Sequence, residues 1–500
     1  MRLDYKNLNP AQHTAVHHTQ SHLLIIAGPG TGKTHTLACR IVHLAEQLSL
    51  NKKILAITFT NKAAEEMKLR LARHSKAELN NIFVGTFHSF CLQFLKEYAK
   101  EAGLPAEFRI AAPEEIESLT KELWPADTLK ARIGKLEKIS AWKSQISDEN
   151  VPEDARRYNQ FLREAEILDF DDLLHETLKF LKTNAQIRKS LQDTYRFVCV
   201  DEYQDINAIQ HALLKNIVAG DVFLTAIGDP NQAIYGFRGS DVRFFESFSQ
   251  DFPGAVVLRL SDNYRSASNL LKASGQLIES SPFKVPALTA QIYQEGKLCV
   301  FEAASDKAEA EYVVHTIEKM VGGTSMFSQD SGRVENVQES ERSFGDIAVL
   351  FRLKAQKKVL QDAFARSGIP YQVSGEVTDE RIDFNSEKVN LMTLHASKGL
   401  EFPVVFVVGC EEGLIPLEMA GLDADREEER RLFYVGMTRA KEQLFLLHAK
   451  RRRLYGKALK GVVSPFLADI AEQLKTYEKN LPGARKKPRL PNSAQLTLFE

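Results

Sequence analysis

An α/β fold of alternating strands and helices is predicted by five stretches of the 500-residue sequence. LLIIAGPGTGKTHTLACRIVHL (23–44) reads as an apolar strand, a glycine-rich turn and an amphipathic run with helical spacing. RFVCVDEYQDIN (196–207) is a second buried strand that ends on two carboxylates. Farther along, EYVVHTIEKM, DIAVLFR and VVFVVG repeat the alternation of helical and strand patterning.

Composition narrows the class without naming a chemistry. The length corresponds to roughly three to four domains. With 44% hydrophobic and 26% charged residues, the chain can bury cores and keep a polar surface. The longest apolar runs, such as VVFVV at 404–408, fall far short of the roughly 20 residues a membrane span needs. MRLDYKNLNPAQH lacks the apolar core of a secretory signal. The five cysteines are scattered and form no C-x-x-C pair, which argues against a disulfide framework or zinc site and fits a reducing cytosol. A net charge of −1 means that any polyanion must be held by local patches.

The first stretch carries the pattern G-x-x-x-x-G-K-T over Gly28, Pro29, Gly30, Thr31, Gly32, Lys33 and Thr34. Backbone N–H groups of such a loop cradle phosphates at a helix N-terminus. Lys33 would reach the β/γ oxygens and Thr34 would ligate Mg²⁺. Asp201 is placed to share that metal, and Glu202 beside it is the candidate base for an attacking water. Phosphoryl transfer gains most from cations set on the transferring group, and Arg265 and Arg439 are the candidates. Each follows an apolar element, and each is expected just before a small-residue helix start. The stretch GDPNQAIYGFRGS (228–240) adds a puzzle. It begins as a small polar turn fit for a phosphate and ends in two aromatics and a cation spaced by glycines.

These pieces, together with LNPAQ (8–12), ITFTNKAAEEMKLRL (57–71), GTFHSF (85–90), LDFDDLL (168–174), NYRS (263–266), MTLHASKGLEF (392–402) and EEERRLFYVGMTRAKEQLFL (427–446), stand in an order that resembles the UvrD/Rep/PcrA family of superfamily 1A DNA helicases. The resemblance implies two RecA-like P-loop domains, parallel sheets flanked by helices, with ATP and Mg²⁺ as cofactors. By residue match, Gln12 would read the adenine and Tyr264 would stack on it. His35 and Arg40 would lie near the nucleotide, and Glu401 would line the same cleft. Gln232 would sense the γ-phosphate, with Arg265 and Arg439 completing the site. Phe59, Thr86, His88, Tyr235, Phe237, Arg238 and His395 match the family's DNA contacts. The turn at 228–240 would then join both sites, its polar end at the phosphate and its aromatic end stacked on bases, a contact worth about 1–3 kcal/mol per base and blind to sequence.

Three positions depart from the family's habit: Phe237 stands for Trp, Tyr203 for Phe, and His35 for Arg. None removes a catalytic group.

The resemblance also implies the domain plan. Residues 1–88 and 192–265 would form domain 1A and 89–191 the inserted helical subdomain 1B. Domain 2A would comprise 266–373 and 389–470, with 471–500 as a basic flexible tail. SPFLADIAEQLK, just before and into that tail, reads as helix. The family's large 2B subdomain is reduced to a connector at 374–388, because fifteen polar residues cannot supply a core. The segment 322–343, rich in Ser, Gly and charge, reads as a surface loop.

The chain ends QLTLF before Glu500, resembling the bacterial sliding-clamp-binding pentapeptide, with Gln495, Leu496, Leu498 and Phe499 as its contacts. The expected protein is therefore a cytoplasmic, nucleoid-associated bacterial enzyme, an ATP-dependent 3′–5′ helicase or translocase. Its expected partners are single-stranded DNA, single/double-strand junctions and a sliding clamp. Alternatives are a translocase that strips proteins and unwinds only with a partner, and an inactive single-strand-binding subunit. The intact Lys33, Asp201, Glu202, Gln232, Arg265 and Arg439 argue against the last.

Overall fold

The computed structural model describes residues 7–49, 51–74, 79–146, 151–283, 285–322, 342–374, 386–418 and 425–478. The chain divides into two compact units, 1–296 with 423–441, and 297–422 with 442–500. The division at 296/297 comes later than the 265/266 expected, and the segment 423–441 joins the first unit.

In the first unit a six-stranded sheet carries the fold. Its strands are β1 (Leu23–Ala27), β2 (Lys53–Ile57), β3 (Ile82–Gly85), β4 (Tyr195–Val200), β5 (Phe223–Gly228) and β6 (Val256–Leu260), in spatial order β3-β2-β4-β5-β1-β6. All five pairings are parallel. A parallel sheet is covered on both faces, and the strand periodicity of two assigns its residues to two cores. Leu23, Ile25 and Ala27 face the core shared with the helix Lys33–Glu46. Leu24, Leu55 and Ile57 face the one shared with the helices Phe87–Glu97, Phe170–Thr183 and Ala208–Ile217.

The expected helical insertion is helical. Its segments Pro113–Leu123, Leu129–Lys143 and Glu153–Glu164 gather a small core of their own around Trp124, Ile139, Trp142, Tyr158 and Leu162. Between them and the sheet core, Lys143 is buried and held by Asp169 at 2.6 Å and Asp172 at 2.7 Å.

The helix Arg426–Met437 belongs to the first unit because its polar groups are satisfied there. Arg430 donates to Leu277 O at 3.0 Å, and the chain just beyond the helix is bonded to Ser266 and Ala267 through Ala440 O and Lys441 O. Arg439 is therefore followed by a strand, β12 (Ala440–Ala449), and not by the helix start expected from sequence.

The second unit holds a seven-stranded sheet of β7 (Lys297–Ala303), β8 (Ile347–Phe351), β9 (Tyr371–Val373), β10 (Val389–Thr393), β11 (Phe402–Val408), β12 and β13 (Thr476–Glu478). Their order is β9-β10-β8-β11-β12-β7-β13. The helices Asp306–Met320 and Lys357–Ser367 cover its core. β9 and β10 pair in parallel, Tyr371 opposite Val389, so the link between them is a crossover, which takes a dozen or more residues by itself. Residues 375–385 of that link lie outside the described residues.

Two tail expectations change. Within SPFLADIAEQLK there are 3₁₀ turns at Pro465–Leu467 and Glu472–Leu474, not an α-helix. The start of the tail is tied down as well. β13 pairs with β7, and Glu478 accepts bonds from Lys297 (2.6 Å) and Tyr312 (2.5 Å). The basic stretch and the QLTLF peptide lie outside the described residues.

Candidate functional site

Ligands of open parallel α/β sheets bind beyond the carboxyl ends of the strands. In the first unit each of the six strands delivers an expected site residue just past that end. β1 runs into the 28–34 loop, β2 into Phe59, β3 into Thr86, β4 into Asp201 and Glu202, β5 into the 229–238 turn, and β6 into Tyr264 and Arg265. Strand order then sorts the chemistry. The phosphate loop leaves the β5/β1/β6 side of the sheet edge, and Phe59, Thr86 and His88 leave the β2/β3 side.

The loop is built to leave its centre open for an anion. Gly30 and Gly32 hold φ of +70° and +80°, where side chains are strained. A Cβ at Gly30 would lie 2.5 Å from Asn263 Nδ2. Thr31 closes the turn by donating to Gly28 O at 2.8 Å. The Lys33 ammonium lies against Ala27 O and Gly28 O at 3.2 and 3.3 Å, folded over the loop, and Thr34 follows in the first turn of the helix. The loop is clamped from β6. Asn263 donates to Pro29 O at 2.6 Å and accepts from the N–H groups of Arg265 and Ser266, both at 2.8 Å.

Gln12 sits in the first turn of the helix Pro10–His17, capped by Asn9, and donates to Thr31 O at 3.0 Å. Asn9 also reaches the Tyr264 hydroxyl at 3.1 Å, so Gln12 and the exposed Tyr264 ring flank the loop together. Arg40 is placed differently. It is fully buried, donates to Ala15 O at 2.7 Å and to Thr225 Oγ1 at 2.9 Å, and so ties the Gln12 helix to the sheet instead of bonding the loop. Its guanidinium is pulled down to about 10 by burial. His35 packs its ring on Cys39, Nε2 to Sγ 3.6 Å.

Asp201 and Glu202 close the other side. Asp201 is buried, and its carboxyl is pushed up to about 7, first by burial and then by the charge of Glu202, with Lys33 pulling it down. Two carboxylates that cannot both ionise comfortably fit a site completed by a cation. Glu202 holds a left-handed φ of +51°, a conformation that costs about 1–3 kcal/mol and is kept at functional sites. From Glu202 a chain of side-chain bonds crosses to the arginine. Gln204 donates to Glu202 Oε2 at 2.5 Å, and Asp229 N donates to Gln204 Oε1 at 3.0 Å. Gln232 Nε2 then donates to Asp229 Oδ2 at 2.8 Å, and Arg439 Nη2 donates to Gln232 Oε1 at 3.5 Å. Arg265 stands beside them, its guanidinium 3.4 Å from Thr438 O.

Three residues past Gln232 the turn becomes aromatic. Tyr235 stacks on Phe59, centroids 5.2 Å apart and planes 15° apart, and meets Phe237 edge-on at 6.1 Å. Phe237 is 67% exposed. The Arg238 guanidinium lies 5.7 and 5.6 Å from the two rings, a cationic frame around an apolar platform. Nearby in the sheet order, Thr86 caps the helix Phe87–Glu97, and His88 stacks on Phe170 at 3.9 Å. Burial pulls the His88 imidazole down to about 4, so it is neutral at pH 7. His395 and Glu401 belong to the second unit. His395 opens the 3₁₀ turn after β10, and Glu401 is exposed just before β11.

Comparison with known proteins decides what this constellation belongs to. Residues 8–253 match the UvrD/REP helicase N-terminal domain, and residues 258–378 and 376–451 match the UvrD-like helicase C-terminal domain. The chain belongs to the UvrD/REP helicase family. An ATP-dependent DNA helicase PcrA of Staphylococcus epidermidis is 27% identical over 650 residues, covering 94% of this chain and 87% of that protein. One from Staphylococcus aureus is 26% identical over 663 residues, covering 96% and 88%. The matched span exceeds the 500 residues of this chain, so these relatives carry residues within it that this helicase lacks.

Several residues of the candidate site are not evident from sequence. Gln204, Asp229 and Phe170 lie inside the motifs, but no local pattern distinguishes them. Asn263 heads NYRS and clamps a loop 234 residues away in sequence. Among the described residues no helix is long and apolar enough to cross a membrane.

Proposed function

We propose that this helicase is an ATP-hydrolysing motor that moves 3′–5′ along single-stranded DNA. The observation that carries the reading is the turn after β5. Its Gln232 is bonded into the Asp229–Arg439 network, and three to five residues later Tyr235 and Phe237 present a stacking platform with Phe59. A shift of the polar end on loss of a phosphate is passed through a few rigid residues to rings that hold bases without reading them. The names of the relatives, ATP-dependent DNA helicases, favour the same nucleotide and polymer.

In this reading Lys33, Arg265 and Arg439 set positive charge around the transferring phosphoryl group, and Glu202 takes the proton of the attacking water. Thr34 and Asp201 would hold Mg²⁺, which when bound neutralises charge on the β/γ oxygens. The protein works in the bacterial cytoplasm at single/double-strand junctions during repair, replication or recombination. Its QLTLF end tethers it to a sliding clamp. The two matches to the C-terminal family meet at 376–378, within the 374–388 connector, which supports the absence of a 2B subdomain there. That same observation favours a second reading, a translocase that displaces bound proteins and unwinds only with a partner.

The test is ATP hydrolysis with and without an unstructured oligodeoxynucleotide. The wild type should be strongly stimulated, and Lys33→Ala should be inactive under both conditions. Hydrolysis by Lys33→Ala at the wild-type rate would remove the active-site assignment.

A further inference from the structure

The stacking turn is gripped from outside by the helix Arg426–Met437. One turn of that helix sets Glu428 and Arg431 side by side, as i and i+3 positions are. Glu428 Oε1 accepts from Gly236 N at 3.2 Å, and Arg431 Nε donates to Ala233 O at 2.8 Å. These two anchors bracket Ile234 and Tyr235, and Phe237 follows immediately. The approach is close enough that any side chain at 236 would push the carboxylate aside. A Cβ on Gly236 would lie 2.2 Å from Glu428 Oε2. The same helix ends two residues before Arg439, whose Nη2 meets Gln232 and whose Nε is fixed on Val435 O at 2.8 Å. A single rigid element thus touches the turn at 232, 233 and 236. Burial raises the Glu428 carboxyl, while Arg431 and the Gly236 N–H favour its charged form, so both partners support the grip.

We propose that Glu428, with Arg431, is a positioning residue that couples the arginine at the nucleotide network to the stacking aromatics, by holding the turn to the helix that carries Arg439. Without this latch the aromatic end of the turn loses its hydrogen bonds to that helix, and the rings lose their fixed relation to the nucleotide network. The inference rests on the motor reading above. It adds that coupling, and not chemistry or base stacking itself, depends on a carboxylate that touches neither phosphate nor base.

The test uses the full-length protein and measures ATP turnover without DNA and across a titration of an oligodeoxynucleotide. Glu428→Ala should keep DNA-free turnover and the DNA concentration for half-maximal stimulation, while the maximal DNA-stimulated rate falls about tenfold, the scale of one lost charge-assisted hydrogen bond. Glu428→Gln keeps an oxygen for the Gly236 N–H and should stay within about threefold of wild type. Gly236→Ala displaces the carboxylate from the other side and should reproduce the loss, which keeps the test alive if Glu428→Ala does not fold. Wild-type stimulation in Glu428→Ala would overturn the latch. So would a fall in DNA-free turnover as large as the fall in stimulation, or a Glu428→Gln defect equal to that of Glu428→Ala. A wild type that DNA does not stimulate at all would instead remove the motor reading beneath it.

Discussion

Replacing Asn263 tests the clamp on the phosphate loop. The side chain is 1% exposed and makes three hydrogen bonds, one to Pro29 O and two from the N–H groups of Arg265 and Ser266. Asn263→Ala leaves all three backbone groups without that partner, and each such buried group costs about 1–3 kcal/mol. The three losses share one site and do not add in full, so a destabilisation of about 3 kcal/mol is expected. The functional cost follows from the loop. With Pro29 released, Gly30 and the N–H groups beyond it lose their fixed position, and a displacement near 1 Å at a reacting centre costs up to about 100-fold. Asn263→Asp separates the contributions, since it keeps the acceptor for Arg265 and Ser266 but turns an oxygen toward the Pro29 carbonyl. Urea unfolding followed by circular dichroism measures the first effect, and kcat/KM for ATP the second. Both variants should lose stability, and both should lose at least about tenfold in kcat/KM. If Asn263→Asp hydrolyses ATP like the wild type, the clamp does not position the loop.

Phe237→Ala should leave the KM for ATP unchanged and weaken single-strand affinity by about 1–3 kcal/mol in a fluorescence titration, the value of one stacked base; unchanged affinity would remove the platform. Asp201 predicts a pH dependence. Its folded value, about 7, lies above that of a free carboxylate, so its contribution to stability is present at low pH and is lost as pH rises through about 7. Activity runs the opposite way because the metal needs the charged form: kcat/KM for ATP should fall below about pH 7, and a flat profile down to about pH 6 would contradict the assignment. Tyr203 is buried, and among the described residues its hydroxyl has no hydrogen-bond partner. Tyr203→Phe, the residue usual in the family, should be neutral or stabilise by about 1 kcal/mol in urea unfolding; a clear loss of stability would mean the hydroxyl has a partner.

Much of the site was legible because its residues cluster within short motifs at strand ends, where a parallel sheet must place them. Lys33, Asp201, Gln232 and Arg265 all follow β-strands or their loops, so local pattern sufficed. The bonds that hold these groups were not legible. Asn263 reaches Pro29, Arg439 reaches Gln232, and Glu428 reaches Gly236 across 234, 207 and 192 residues of sequence, and nothing local to any of them records the partner. The same lack of local signal assigned 423–441 to the second domain, although the polar contacts of its helix lie in the first unit. Arg40 fits the motif by spacing, yet it is consumed by carbonyls at the end of the Pro10–His17 helix. The start of the tail read as helix and linker because its anchors, Lys297 and Tyr312, are remote from Glu478.

The central claim is that ATP use drives directed movement on one strand without a 2B subdomain. It is tested most directly by strand separation of a short duplex bearing either a 3′ or a 5′ single-stranded tail, with ATP and Mg²⁺ at low salt. Separation of the 3′-tailed duplex alone is the predicted result. Separation of the 5′-tailed duplex, or of neither while DNA still fails to stimulate hydrolysis, would contradict it.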